Sequence, residues 1–504
     1  MKVSGTWSLL LAVVVASWFF LWNLGQSSIS LRSDEIIYTR VTQSILHKGA
    51  LFPLQHGNVP TYEKPPLKLW LGSIAPLIAG ESNLSFRIFD GVLGVITVGL
   101  TICLARALTG APVVALLSGL ALLGMPELVI SHHGFRRGVL DGLLTALTVL
   151  SCWFTWGLIQ KKNAGCALRD LSRSALLVGG VCSLGVLTKS VAGFVPAVCA
   201  FASFVFLTPR SGVKDYARIF LGIVGVPVFT FLAYVFALWF VAGIKGISVF
   251  IGVEIFTRTI SGFEGHNTDQ RWFYLWSLFV RGSTVPRNLL IVGLIGAVLT
   301  ARVDRASRFI LIWALLPVGL YSLSASKVPW YINPFLPFIS IMALWGAKQI
   351  LDLLHSRWPG KKVYAVSVAL LCAVTLPAYS RAIIRHAKVV LGETQRIELD
   401  ILVSELLGRY SNFVILEDSL SGRTSPIKGR FNLEGIYREM LRPRIEAFKG
   451  IAEYHPKTGD VVFVKEGSLS SLEPGWKMLR TLEPFGARAW RLAVVEYYSV
   501  LQKS

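Results

Sequence analysis

Residues 87–108 read RIFDGVLGVITVGLTICLARAL, and their charged side chains are confined to the first and last four positions. At a rise of about 1.5 Å per residue, a helix of this length crosses a hydrocarbon core of about 30 Å. Similar apolar runs recur and predict a mainly α, polytopic membrane protein with about eleven spans. These runs are 7–24, 87–108, 112–130, 139–160, 175–188, 191–208, 217–242, 287–301, 309–325, 328–345 and 363–379.

The composition of the whole chain agrees with a membrane location. Of its 504 residues, 53% are hydrophobic and only 16% are charged, and the mean hydropathy is +0.58. Soluble chains carry about a quarter charged residues. The net charge of +21 could indicate a nucleic-acid partner, but the basic residues lie between apolar runs, so no nucleic acid is expected. The 15 Trp and 29 Phe exclude a disordered chain.

The distribution of Lys and Arg among the loops predicts the topology. Short basic loops face the cytoplasm in multi-pass proteins. With a retained first span and a cytoplasmic N-terminus, the basic loops after residues 105, 160, 209, 301 and 347 all face inward. Residues 67–80 are too short to span and are interpreted as interfacial or re-entrant. The predicted location is the plasma (inner) membrane, with large outward loops at 25–66 and 243–285.

The chain changes character near residue 380. Residues 1–379 form the predicted membrane domain, whereas 380–504 are rich in charge and contain no run that could span. Short apolar runs at 414–416, 461–464 and 489–495 predict strands, and 393–407 and 433–441 have helical spacing. We therefore predict a small soluble α/β domain on the outer face.

The first outward loop carries charged residues near its start and at its end. Asp34 and Glu35 follow Ser33, and this pattern is typical both of a helix N-terminus and of an acidic site. The loop closes with Tyr62, Glu63 and Lys64 ahead of two prolines. Glu63 and Lys64 are either a solvated pair or a site for phosphate or metal that the prolines hold in place.

Cations also occur in three other outward turns, against the usual bias. Arg136 and Arg137 precede Asp141 at the start of a span, and Lys189 and Lys327 each lie between two spans. Each cation alone could anchor the chain to lipid phosphates. With Lys64 they place five cations on one face, which favours binding of a polyprenyl phosphate. The loop 243–285 adds His266, a candidate ligand or acid–base group, although a lone loop histidine often has no special role.

Several of these residues together resemble a known family. Asp34-Glu35, Tyr62-Glu63-Lys64-Pro65-Pro66, Arg137 with Asp141, Leu187-Thr188-Lys189, and the Ser-Lys-x-Pro-x-Tyr element that ends at Tyr331 are similar to motifs of the ArnT-like and protein O-mannosyltransferase-like glycosyltransferases. That group has the GT-C fold. The resemblance runs from about residue 7 to residue 346, and the C-terminal part matches in position and size alone.

The resemblance implies transfer of a monosaccharide from a polyprenyl-phosphate-linked donor to an acceptor outside the cytoplasm, with inversion at C1. Asp34 and Asp141 would be the catalytic acidic residues, and Glu63 with His266 would hold a divalent ion, while no nucleotide or organic cofactor is implied. The expected substrate-binding and phosphate-binding residues are Glu35, Tyr62, Lys64, Arg136, Arg137, Lys189, Lys327 and Tyr331. An arginine that the family often has after Asp-Glu is replaced here by Ile37.

Three functions stay open at this point. The acceptor is expected to be a lipid or glycolipid, and the partners are then the donor, the acceptor and membrane lipids. A protein O-mannosyltransferase would use the same kind of donor on Ser or Thr. A flippase or transporter of lipid-linked sugars would instead place ionisable residues at mid-membrane depth.

Overall fold

Long helices account for most of the part of the chain that the structure describes. The structure is a computed structural model, and it describes residues 5–25, 34–131, 133–209, 211–261, 270–281, 286–358 and 361–392 and five strands after them. The helices are α1 Gly5–Leu21, α2 Asp34–Lys48, α3 Leu67–Gly72, α4 Ile74–Ala79, α5 Asn83–Thr109, α6 Pro112–Ala121, α7 Pro126–Val129, α8 Asp141–Asn163, α9 Leu168–Lys189, α10 Phe194–Leu207, α11 Val213–Phe220, α12 Val226–Ile247, α13 Phe273–Trp276, α14 Arg287–Thr300, α15 Arg305–Ser322, α16 Leu336–Arg357 and α17 Lys361–Gly392.

Within the described ranges, six helical runs are long and apolar enough to cross a membrane, which confirms a polytopic membrane protein. Four shorter apolar helices accompany them, among them Leu67–Ala79, the segment predicted to be interfacial or re-entrant. The count of about eleven spans stays a prediction. The six runs are Asn83–Thr109, Asp141–Asn163, Leu168–Leu207, Val213–Thr257, Pro329–Arg357 and Ala365–Ala387.

The run Leu168–Leu207 contains a sharp reversal that matches two predicted spans, 175–188 and 191–208. Ser190 has a φ of 50°, a left-handed conformation that ends α9. Gly193 then lies so close to the backbone of Gly185 and Val186 that a Cβ atom there would overlap it. The contact requires glycine, and it brings Lys189 to the tip of a helical hairpin.

Two of the basic loops predicted to face the cytoplasm meet at one end of the helices. Lys162, at the end of α8, forms an ion pair with Asp215 in α11, with Nζ 2.7 Å from Oδ2. On a third loop, Asp304 accepts hydrogen bonds from the Ala306 and Ser307 amides and from Trp345 Nε1. The shared side of the loops at 161–173 and 210–218 therefore agrees with the topology.

Small residues allow α14 and α16 to pack backbone to backbone. A Cβ atom at Gly296 would overlap the Gly346 carbonyl oxygen, and one at Gly346 would overlap the Gly293 carbonyl oxygen. Without a hydrophobic effect inside the membrane, such close approach is a principal source of helix association.

Gly346→Ala is therefore expected to destabilise the protein by about 1–3 kcal/mol, because the added methyl group forces the two helices apart. Thermal unfolding in detergent measures the effect. Gly319→Ala in α15 is the matched control, since a Cβ atom there meets no atom within 4 Å. Equal melting temperatures for the two variants would contradict the close packing.

Two boundaries differ from the sequence expectation. The region 243–285, predicted as a loop, is partly helical, because α12 continues to Ile247 and a π-helical segment follows at Ser248–Ser261. The break predicted near residue 243 is present within this run, since Gly243 has a φ of 59°. Helix α17 continues past Tyr379 to Gly392, where polar residues still permit helix.

The chain divides into two units, residues 1–24 with 38–391, and residues 25–37 with 392–504. In the first unit, a hairpin joins β1 Leu54–His56 and β2 Val59–Thr61. In the second, β3 Asn412–Leu416, β4 Arg444–Phe448, β5 Val461–Lys465, β6 Trp476–Leu482 and β7 Tyr498–Lys503 form a sheet of order β4-β3-β5-β7-β6.

The strands predicted at 414–416 and 461–464 are confirmed as parts of β3 and β5, which are parallel neighbours. Strands β5 and β7 are antiparallel, so the sheet is mixed. The predicted strand at 489–495 and the predicted helices at 393–407 and 433–441 lie outside the described residues.

Candidate active site

Asp141 lies at the centre of a buried polar cluster where several helix ends meet. It is the first residue of α8 and is 2% exposed. Its Oδ1 atom lies 2.6 Å from Lys189 Nζ, at the tip of the α9–α10 hairpin, and its Oδ2 atom lies 2.9 Å from His133 Nδ1. A buried carboxylate is tolerated when paired and hydrogen-bonded, and here each oxygen has its own partner.

The segment Pro329–Phe335 supplies the aromatic wall of this cluster. Lys189 Nζ lies 5.6 Å from the centre of the Tyr331 ring, within range of a cation–π contact. The His133 ring stacks on Trp330, with centroids 4.4 Å apart and planes at 11°. The structure thus brings together Asp141, Lys189 and Tyr331, three residues predicted for the site from separate turns.

The turn that carries His133 is held tightly against α7. The amide of Phe135 donates to the Leu128 carbonyl at 2.8 Å, and a Cβ atom on Gly134 would lie only 2.8 Å from the same oxygen. Gly134 is therefore needed for close approach. Asn333 Nδ2 donates to the carbonyls of Glu127 and His133, which ties the turn to the segment before α16.

The two arginines of this turn differ in their surroundings. Arg136 is 3% exposed, and its guanidinium donates at 2.9 Å to the carbonyl oxygens of Phe19 and Trp22, at the end of α1. Helix ends leave such carbonyls without helical partners, so Arg136 acts as a C-terminal cap of α1. Arg137 is half-buried. For Arg136, a structural role is thus visible beside the predicted role in binding.

A second buried ion pair lies beside the cluster and was not predicted as part of the site. Lys68 Nζ, in α3, lies 2.8 Å from Asp90 Oδ2, in α5, and both side chains are almost fully buried. A Cβ atom on Gly142 would lie 2.8 Å from Asp90 Oδ1, which places this pair next to Asp141. The signal in the sequence is a lysine inside the short apolar segment 67–80.

The end of the first outward loop is fixed by its two prolines, which are buried. The carbonyl of Lys64 accepts a hydrogen bond from the Tyr234 hydroxyl at 3.3 Å. Tyr62 and Lys64 are partly exposed and Glu63 is exposed. This segment leads directly into α3 and Lys68, so the prolines hold the predicted phosphate-binding lysine at the start of the membrane segment.

Lys327, Asp34 and Glu35 are further residues that were predicted for the site. Lys327 is 8% exposed, and the amide of its neighbour Val328 donates to the Tyr274 hydroxyl at 3.3 Å. Asp34 and Glu35 form the first turn of α2, where Glu35 is buried and Asp34 is half-buried.

The predicted metal pair is not brought together by the residues that the structure describes. Glu63 is exposed, and His266 lies outside the described residues. Across the described ranges, no group of three or more His, Cys, Asp or Glu side chains could hold a metal ion. Glu63 alone does not form a metal site.

The sequence is also similar to those of known glycosyltransferases. Residues 63–239 match the family described as dolichyl-phosphate-mannose-protein mannosyltransferase. The chain is 25% identical over 316 residues to undecaprenyl phosphate-alpha-4-amino-4-deoxy-L-arabinose arabinosyl transferase 1 of Pseudomonas fluorescens, covering 61% of this chain and 52% of the relative. The corresponding transferase of Pseudomonas paraeruginosa is 26% identical, with 67% and 59% covered. The chain thus spans little more than half the length of these relatives.

Solved structures show the same fold. ArnT from Cupriavidus metallidurans bound to undecaprenyl phosphate aligns with a TM-score of 0.61 over 99% of this chain and 98% of that one, at 15% identity. The oligosaccharyltransferase AglB from Archaeoglobus fulgidus, in complex with an inhibitory peptide and a dolichol-phosphate, aligns with a TM-score of 0.51 over 76% of this chain and 56% of that one, at 14% identity. The chain therefore has the GT-C fold of these membrane proteins.

Proposed function

We propose that this protein transfers a monosaccharide from a polyprenyl-phosphate-linked donor to a lipid or glycolipid acceptor on the outer face of the inner membrane. The observation that carries the proposal is the convergence of Asp141, Lys189 and Tyr331 at one end of an apolar helical bundle. A donor bound there can keep its lipid tail in hydrocarbon while its phosphate meets fixed cations. The similarity to arabinosyl transferases that use undecaprenyl phosphate supports this donor class.

The chemistry requires stabilisation of a leaving lipid phosphate. Negative charge develops on that phosphate as its bond to C1 breaks, and ammonium groups already in position stabilise it without reorganisation. Lys189, held by Asp141, and Lys64, held behind two buried prolines, are the residues assigned to this role. Tyr331 would line the donor pocket beside Lys189.

The acceptor is activated by Asp34 in this proposal. If the acceptor group is a hydroxyl, Asp34 takes its proton as the oxygen attacks C1, and inversion results. If the acceptor is a phosphate, its oxygen is already a nucleophile, and Asp34 orients it. Either way, the proposal locates this face outside the cytoplasm, and the basic loops at the opposite end of the helices support that orientation.

A divalent ion bound by Glu63 and His266 stays a prediction, and no step above runs through it. The transporter alternative is disfavoured by the distribution of charge along the spans. Between Asp90 and Arg106, and between Asp141 and Lys161, the spans carry no Asp, Glu, Lys or Arg. A transport path would place such groups at mid-depth.

The second candidate is a protein O-mannosyltransferase, which the family match over residues 63–239 favours. Purified protein, incubated with a radiolabelled polyprenyl-phosphate sugar and a mixture of envelope lipids and proteins, separates the two. We expect the label in the lipid extract. Label in protein would support the second candidate, and label that stays on the polyprenyl phosphate for every donor offered would contradict both.

A further inference from the structure

We propose that His133 is a positioning residue for sugar transfer. Its Nδ1–H group fixes the carboxylate of Asp141, and that carboxylate holds the ammonium group of Lys189 against the face of Tyr331. This inference rests on the proposed function, in which Asp141 and Lys189 lie at the donor site. His133 was not among the candidate site residues, because a histidine in an outward turn has no periodic or motif signal of its own.

The hydrogen bond between His133 and Asp141 has a defined direction. A carboxylate can only accept, so the Nδ1 atom of His133, 2.9 Å from Asp141 Oδ2, carries the hydrogen. Lys189 occupies the other oxygen, Oδ1, at 2.6 Å. Contacts to both oxygens fix the rotation of the carboxylate about its Cβ–Cγ bond. Without the histidine the carboxylate keeps one of these two contacts and is free to turn.

The ring of His133 is itself held in place. It is stacked on Trp330 with planes at 11°, and the His133 side chain is 9% exposed. The carbonyl of His133 accepts from Asn333 Nδ2 at 3.3 Å, and Gly134 packs on the Leu128 carbonyl. The imidazole therefore connects Asp141 to two segments that are held by these contacts, residues 133–138 and residues 329–335.

The ammonium group of Lys189 depends on side-chain contacts for its position. Its side chain is long and has several rotatable bonds, and it lies at a hairpin tip where the backbone alone does not fix the ammonium group. Two contacts that hold it are those with Asp141 Oδ1 and with the ring of Tyr331. A misplacement of about 1 Å at a charge that stabilises a transition state can cost about a hundredfold in rate. Loss of the histidine contact is therefore expected to lower transfer through Lys189.

Two amide variants test the role of the Nδ1 atom. In His133→Asn, the side-chain amide nitrogen takes nearly the place of Nδ1, whereas in His133→Gln it takes nearly the place of Nε2. Both remove the ring and its stacking on Trp330, so they form a matched pair that differs in the position of the donor. His386→Asn is the control for loss of a buried histidine, since His386 Nδ1 bonds the main-chain carbonyl of Leu123 at 2.9 Å, outside the cluster.

Initial rates are measured with the full-length protein in nanodiscs against donor concentration. We expect His133→Gln to lower kcat/KM about tenfold or more, and His133→Asn to stay within about threefold of the wild type. In a Lys189→Met background, His133→Gln should add less than about twofold, because residues that act through one another are not additive. His386→Asn should lower the melting temperature with little change in kcat/KM.

Equal kcat/KM values for His133→Asn and His133→Gln would overturn the proposal, whether both are near the wild type or both are lost. Additive effects of His133→Gln and Lys189→Met would overturn it as well. If the wild type transfers no sugar, the proposed function fails by itself. The inference is then judged by binding of undecaprenyl phosphate: weaker binding by His133→Gln than by His133→Asn supports it, and equal binding overturns it.

Discussion

Asp141→Asn is expected to abolish sugar transfer and to destabilise the protein, whereas the double variant Asp141→Asn/Lys189→Met is expected to regain stability and stay inactive. Removal of one partner leaves the Lys189 ammonium group, whose side chain is only 16% exposed, beside a neutral amide, which costs up to about 3–5 kcal/mol. Replacement of both partners removes the uncompensated charge and is often nearly neutral. The phosphate-stabilising charge is then gone, and transfer should fall about a hundredfold to a thousandfold.

Melting temperature and initial rate are measured together for the two single variants and the double variant. Lys162→Met/Asp215→Asn is the matched control, because this pair has a similar separation of 2.7 Å, but its side chains are about a quarter exposed and lie at the opposite end. An exposed pair of this kind contributes about 0–1 kcal/mol. Recovery of transfer in the Asp141/Lys189 double variant would show that the pair is structural.

Asp34→Asn is expected to lower transfer to a hydroxyl acceptor by about a hundredfold to ten-thousandfold, the range that a general base contributes. Asparagine keeps the size and the capacity to accept a hydrogen bond, but it cannot take a proton. Expression and melting temperature should be nearly unchanged. The measurement is the initial rate at saturating donor, so that a loss of acceptor activation appears in kcat.

Asp170→Asn separates this role from the simpler one of an acid at a helix N-terminus. Both Asp34 and Asp170 lie in the first turn of their helices, α2 and α9. Each should lose the same small dipole stabilisation, about 0.3–1 kcal/mol. If Asp34→Asn behaves like Asp170→Asn in the rate measurement, Asp34 is a helix-capping residue and the assigned base is wrong.

The meeting of Asp141, Lys189 and Tyr331 could be predicted because topology is a strong constraint. The positive-inside rule put the turns around Asp141, Lys189 and Tyr331 on one face, and in the structure these residues are in contact. The Pro65-Pro66 pair likewise indicated a fixed loop end, and both prolines are buried. The GT-C fold predicted from the motifs is confirmed by the similarity to ArnT from Cupriavidus metallidurans.

The partners within the site could not be predicted, because they depend on tertiary packing. Arg136 was predicted as a cation for binding phosphate. In the structure it is buried against the carbonyls of Phe19 and Trp22, which are far from it in sequence. Asp90 forms an ion pair with Lys68 of another helix, which spacing along a single helix does not indicate. No pattern in the sequence indicates His133 as a site residue, because its stacking on Trp330 arises only in the folded chain.

Sugar transfer from a polyprenyl phosphate to a lipid is tested most directly by mass spectrometry of envelope lipids. Lipids are compared between cells with the wild-type protein, cells without it, and cells with Asp141→Asn. We predict a lipid species, heavier than its precursor by one monosaccharide residue, that is present only with the wild-type protein. Identical lipid profiles in all three, with the protein expressed and its donor available, would contradict the account.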